Sequence, residues 1–146
     1  MEKKQLERPF SQMVITTICG MKCISCDVWQ NQPYPPMPLD IAIRAVDDLA
    51  KAGIKILEFI GGEPLDYPYM LPLVRHICYE QSEIERCGIL TNAVNWDALQ
   101  KMKPYLSRRI GIVVSINYTK EQCEKLIAQG TDVAMAKKSL AGWRAL

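Results

Sequence analysis

Four short apolar runs recur along the chain, each followed by a stretch with helical spacing. This alternation constrains the fold more than any other feature. The runs are MVITTI (13–18), IKILEFI (54–60), CGILTNA (87–93) and IGIVVSIN (110–117). They are rich in β-branched and apolar residues, the pattern of strands buried on both faces of a parallel sheet. After the first run, Ile43, Val46, Leu49 and Ala50 share one helical face, which stops at Gly53. YMLPLVRHICYE (69–80) and WDALQKMKPYL (96–106) also read as helices, Pro72 being tolerable in a first turn. Two more helical stretches are predicted near 120–129 and 132–145. QNQPYPPMP (30–38) holds four prolines and excludes regular structure.

Repeated strand–helix units imply an α/β fold with a parallel sheet and right-handed crossovers. Residues 1–11 read as a charged lead-in and 12–146 as one domain, with no linker dividing it. In parallel α/β folds, sites form at the carboxyl ends of strands. The loops that matter then begin with CGMKCISC, GGEP, TNA and NYT, all on one rim. The composition is that of an ordinary globular protein, at 49% hydrophobic and 23% charged residues. A net charge of +2 gives no argument for nucleic acid or an anionic membrane surface. No apolar run approaches the roughly 20 residues of a membrane span. MEKKQLERPF is too polar for a secretory signal, so the expected compartment is the reducing cytoplasm. Six cysteines there are thiols or metal ligands rather than disulfides.

CGMKCISC places Cys19, Cys23 and Cys26 within eight residues. Three thiolates leave one iron of a [4Fe–4S] cube without a protein ligand, and that iron can take a small molecule. A zinc site would need a fourth ligand, yet Cys78, Cys87 and Cys123 stand singly and His76 is the one histidine. A Cys-x-x-Cys redox pair at Cys23 and Cys26 would leave Cys19 idle. Spacing alone leaves these three readings open.

The spacing Cys-x3-Cys-x2-Cys after a first strand resembles the motif of the radical SAM (S-adenosylmethionine) superfamily. GGEP (61–64) after the second strand stands in that family's position, and ILTNA resembles its third-strand TNG ending. VVSIN resembles the SLD ending of the SPASM, peptide-modifying branch. The resemblance covers roughly residues 12–145. It implies a partial TIM-like (β/α) barrel of about four parallel β-α units. It also implies a [4Fe–4S] cluster on Cys19, Cys23 and Cys26, with SAM chelated at the open iron. One electron would cleave the sulfonium, and a 5′-deoxyadenosyl radical would take hydrogen from a substrate, the cofactor supplying the hard chemistry. Gly61, Gly62 and Glu63 should meet the methionine amine, and Pro64 should stiffen the turn. Ser115 and Asn117 should bind the SAM carboxylate or ribose, with Thr91 and Asn92 as weaker candidates. For Asn92 the competing reading is a left-handed turn. The implied partners are a flavodoxin- or ferredoxin-like electron donor and an unknown substrate, in the branch indicated a peptide or protein.

Two departures from the family pattern stand out. Ser25 replaces an aromatic residue that helps hold adenine, so Trp29 or Tyr34 would have to serve. The chain also ends after a fourth unit where the family barrel has six. The expectation is therefore an incomplete barrel, either a fragment of a longer enzyme or one half of a split enzyme closed by a second chain. The rival reading is a non-catalytic iron–sulfur or zinc module. The remaining residues take plain roles. Cys78, Cys87 and Cys123 read as small buried hydrophobes, and His76 as a surface or helix-packing residue rather than a base. Glu58, inside a strand, is expected to pair with a Lys or Arg rather than to face the barrel interior.

Overall fold

The computed structural model describes residues 9–24, 26–30, 34–130 and 132–145. Four strands, β1 (Phe10–Thr16), β2 (Ile56–Gly61), β3 (Arg86–Thr91) and β4 (Ile110–Val114), form one sheet in the order β1-β2-β3-β4. All three pairings are parallel. The helices are α1 (Leu39–Lys51), α2 (Met70–Tyr79), α3 (Trp96–Met102), α4 (Lys120–Ala128) and α5 (Val133–Ala145). This is the predicted α/β partial barrel: sequential parallel strands, each joined to the next through a helix.

Local chemistry explains the element ends. Gly53 takes φ 92° just past α1, a conformation that costs glycine little. Asn95 caps α3 by accepting from the Ala98 N–H at 3.1 Å. Pro104 then tightens the chain into a 3-10 turn at Lys103–Tyr105, so α3 is shorter than its apolar spacing suggested. At α4, Thr119 and Gln122 form a reciprocal capping box, each side chain accepting from the other's backbone N–H.

The strands are not buried on both faces, which corrects the expectation drawn from their apolar content. Met13, Ile15, Leu57, Phe59, Cys87, Ile89 and Ile110 face the helices and are buried with Val46, Leu73, Val74 and Ile77. Burying side chains of this size stabilises by about 1.5–3 kcal/mol each. On the opposite face Val14 is 55% exposed and Val113 43% exposed. Successive strand residues point to opposite faces, and the helical layer covers one of them. β1 also begins at Phe10, earlier than the apolar run, because Phe10, Ser11 and Gln12 pair with Ile56, Leu57 and Glu58 of β2.

Two side chains tie the outer layer together. The Arg109 guanidinium donates to the carbonyls of Ile77 (3.2 Å), Gln81 (2.6 Å) and Ile84 (2.8 Å), satisfying the C-terminal end of α2 and the loop after it. His76 Nε2 lies 2.8 Å from Asp47 Oδ1, joining α2 to α1 as a packing residue. Glu58 is not paired with a Lys or Arg among the described residues. Its carboxylate accepts from Gln12 Nε2 at 2.6 Å on the open face of the sheet.

Candidate functional site

The carboxyl ends of the four strands surround a cavity of about 490 Å³. Cys19, Cys23 and Cys26 line one wall. Gly61, Gly62 and Glu63 come from the end of β2, Thr91 and Asn92 from the end of β3, and Ser115 and Asn117 from beyond β4. The single rim expected from the sequence is thus one continuous surface. Pro64 does not line it; buried, it starts a 3-10 turn at Pro64–Asp66.

Gly61 and Gly62 are required by the chain itself. Gly61 adopts φ 143°, and a Cβ there would fall on the Thr16 carbonyl oxygen. A Cβ on Gly62 would fall on the Ile18 carbonyl oxygen and 2.7 Å from the Thr17 carbonyl carbon. The Gly62 N–H donates to Thr16 O at 2.8 Å and the Glu63 N–H to Ile18 O at 2.7 Å. The two glycines therefore dock the β2 loop directly against the backbone that leads into Cys19.

Glu63 is only 2% exposed. Its carboxylate accepts from the Leu65 N–H at 2.9 Å, the Thr91 hydroxyl at 2.5 Å and the Asn92 N–H at 2.8 Å. It clamps the ends of β2 and β3 together at the cavity edge. Burial pushes its carboxyl above the usual value, and the Asn92, Thr91 and Leu65 donors pull the other way. The left-handed residue in the TNA turn is Ala93, at φ 56°, and not Asn92. Asn92 instead accepts from the Val94 N–H at 2.8 Å, an Asx turn.

Within the cysteine loop, Cys23 is buried, Cys19 half-buried and Cys26 exposed. None is in a disulfide. Among the described residues, no three His, Cys, Asp or Glu side chains come together as a metal site. The donor set nevertheless fits an iron–sulfur cube with one open iron: three thiols on one short loop, facing one cavity. Burial is the main cause raising the Cys19 and Cys23 thiols above the usual range, so loading a metal there must displace protons. Cys87, by contrast, is pushed up to about 12 by burial and is inert. Cys123 is buried, as a small hydrophobe should be, whereas Cys78 is only half-buried.

Of the two aromatic candidates, Trp29 lines the cavity and donates its Nε1–H to the Cys23 carbonyl at 3.2 Å. Tyr34 is 67% exposed and takes no part in the lining. Ser25 lies outside the described residues. The structure adds Lys138, which the sequence did not reveal. It reaches the cavity from α5 and is the one cationic side chain in its lining among the described residues. Lys138 also pulls the Cys23 thiol downward, against the effect of burial. Its neighbour Ser139 fixes α5 by accepting from the Asn117 and Tyr118 N–H groups at 2.9 and 3.2 Å. A lysine in a helix gives no sequence signal of which cavity it faces.

The model of the radical SAM superfamily matches residues 13–145. The chain belongs to the radical SAM superfamily. Members of that superfamily bind a [4Fe–4S] cluster and SAM. The GTP 3′,8-cyclase of Chlorobaculum tepidum is 30% identical over 90 residues, covering 60% of this chain and 27% of the cyclase. SuiB of Streptococcus suis bound to S-adenosylmethionine superimposes with TM-score 0.60 at 20% identity, covering 79% of this chain and 27% of SuiB. A second SuiB structure gives TM-score 0.57 at 20% identity, covering 79% of this chain and 26% of that one. This radical SAM chain thus spans about a quarter of the length of each of these proteins. At that identity the SuiB likeness is one of fold, and it is the fold that brings the four strand-end loops together.

Proposed function

We propose that this chain is the cofactor-binding core of a radical SAM enzyme that reductively cleaves SAM. One observation carries the reading: Cys19, Cys23 and Cys26 share a single cavity with Gly61, Gly62, Glu63, Ser115 and Asn117. The three cysteines would hold a [4Fe–4S] cluster. Cluster and SAM together would supply one-electron cleavage of the sulfonium C–S bond and hydrogen abstraction from the substrate.

The chain's own residues bind and orient. Gly61, Gly62 and Glu63 line the cavity where a positive amine would sit, although the Glu63 carboxylate already accepts three hydrogen bonds. Its role is then mainly to hold the loop in place and to add negative field. Lys138 lines the cavity together with Ser115 and Asn117, so the three suit a carboxylate: a charge and two hydrogen-bonding side chains. Trp29 offers an aromatic face for adenine, in place of the residue that Ser25 does not supply. Thr91 and Asn92 act through Glu63. The helical layer closes one side of the sheet to water.

A flavodoxin- or ferredoxin-like protein would deliver the electron, and the substrate class favoured is a peptide or protein, as in the SPASM branch. β4 lies at one edge of the sheet, and further polypeptide from this chain or a second one would complete the wall there. No helix among the described residues is long and apolar enough to cross a membrane.

Anaerobic reconstitution with iron and sulfide, followed by electron paramagnetic resonance with and without SAM, tests the reading. Expected are about four irons per chain, a reduced-cluster signal that changes with SAM, and loss of iron in Cys19→Ala, Cys23→Ala and Cys26→Ala but not in Cys87→Ala. A colourless protein that retains zinc would establish the non-catalytic module instead, and a cluster signal indifferent to SAM would also overturn the proposal.

A further inference from the structure

The open face of the sheet carries one row unlike the rest. In register across the four strands stand Gln12, Glu58, Gly88 and Gly111. The row above it is apolar, Val14 pairing with Ile60 and Leu90 with Val113. The strand-end cavity extends down this face, since Gln12, Val14, Ile60 and Leu90 all line it.

Neither glycine in the row is demanded by the backbone. Neither has a positive φ, a Cβ on Gly88 would make ordinary contact with Glu58, and a Cβ on Gly111 would meet nothing within 4 Å. Glycine inside a strand weakens it and often marks a bulge, a bend at a barrel corner, or close approach of a ligand or another backbone; the β2–β3 and β3–β4 pairings run without a bulge here. The two adjacent glycines leave a notch, open over Gly111 and bounded over Gly88 by the Glu58 side chain and a Val113 methyl.

Arg86 stands on the same face as Gly88, two residues along β3, but makes no ion pair with Glu58. No Lys, Arg or His among the described residues lies within ion-pair distance of Glu58. Gln12 gives its amide N–H to Glu58 Oε2 and so keeps its own oxygen as an acceptor. Beside the notch stand acceptor oxygens and a negative charge, above a floor without side chains. A planar guanidinium matches that set: it carries only donors, is always charged, and is thin enough to lie on bare backbone.

We propose that Glu58, Gln12 and the Gly88–Gly111 notch form a subsite for an arginine side chain of the substrate. This rests on the radical SAM reading, which places the reacting end of the substrate at the strand ends. Gln12 to Thr16 spans four residues of β1, about 13 Å at strand rise. The arginine is therefore recognised at a distance from the reacting position, across the apolar row of Val14, Ile60 and Leu90. Binding energy gathered there would orient the substrate without touching the chemistry.

The test uses the whole chain without cofactors and N-acetyl-arginine amide as probe, with N-acetyl-citrulline amide as its uncharged isostere. Side-chain amide signals of Gln12 are followed by NMR during titration. A saturable shift with the arginine probe is expected. Its affinity should fall at least ten-fold for the citrulline probe and in Glu58→Gln, and several-fold in Gly111→Ala, whose added methyl enters open space and leaves the melting temperature intact. No saturable shift, equal response to both probes, or indifference to Glu58→Gln overturns the subsite. SAM cleavage by the cluster-loaded protein without arginine recognition would sink the subsite alone. Arginine recognition in a protein that never cleaves SAM would sink the enzymatic reading alone.

Discussion

Thr91 donates its hydroxyl to Glu63 at 2.5 Å, across the gap between the ends of β2 and β3. The bond is buried and charge-assisted, the strong kind, and it ties the GGEP loop to the TNA loop. Thr91→Val keeps the shape but removes the donor, and Glu63→Gln turns an amide N–H toward groups that themselves donate. Each is expected to cost about 1–3 kcal/mol, the penalty for an unmatched buried polar group. Urea denaturation of the cofactor-free protein checks this, and an unchanged midpoint in both variants would contradict the clamp.

The same carboxyl sets a pH dependence. Burial raises it in the folded chain, so the folded state holds that proton more tightly than the unfolded state. Its contribution to stability is fully present below the ordinary glutamate value and is lost as pH rises through the raised one. Plotted against pH, the denaturation midpoint should lose part of this downward slope in Glu63→Gln, which carries no titrating group.

Gly61→Ala and Gly62→Ala should each destabilise by about 1–3 kcal/mol or more, because the new methyl meets backbone carbonyls that cannot swing aside. Gly88→Ala is the control, its Cβ 3.5 Å from the flexible Glu58 side chain. Thermal unfolding should rank the three, with Gly88→Ala nearest the parent.

Arg109→Met leaves the Ile77, Gln81 and Ile84 carbonyls without their shared donor. A loss of about 2–4 kcal/mol is expected, with only partial recovery in Arg109→Lys, which lacks the planar fork. Hydrogen exchange should show the loss first in the last turn of α2.

Ala93 sits at φ 56° and is only 2% exposed. Ala93→Gly relieves backbone strain of about 1–2 kcal/mol but loses a buried methyl and stiffness in the unfolded chain, so it should be close to neutral. Ala93→Val adds β-branching where that conformation excludes it, and should cost about 2 kcal/mol or more. Comparing the two by chemical denaturation separates strain from packing.

The alternation of strands and helices, the parallel sheet and the rim location of the cysteine loop were legible in the sequence, because they follow from local periodicity and the geometry of strand–helix units, whereas the sequential strand order was implied only by the family resemblance. The apolar content of the strands did not by itself reveal the bareness of the inner face. MVITTI looks the same whether one or both faces are covered, and Val14 is exposed only because the helices collect on the side of Met13 and Ile15. Glu58 misled for a related reason, since its partner Gln12 is set by the β1–β2 register and not by nearness in sequence.

By itself the sequence determined the chemistry on offer: three thiols at fixed spacing, two glycines and a glutamate after the second strand, polar residues after the third and fourth. Those are local properties of a loop and survive any detail of packing. Tertiary structure alone decided where that chemistry points. It turned the Glu63 carboxylate into a clamp for Thr91 and Asn92, pressed Gly61 and Gly62 onto the backbone before Cys19, and carried Lys138 into the cavity from α5. Each of these depends on register and helix docking between segments far apart in the chain, where a shift of one residue would turn the side chain to the opposite face.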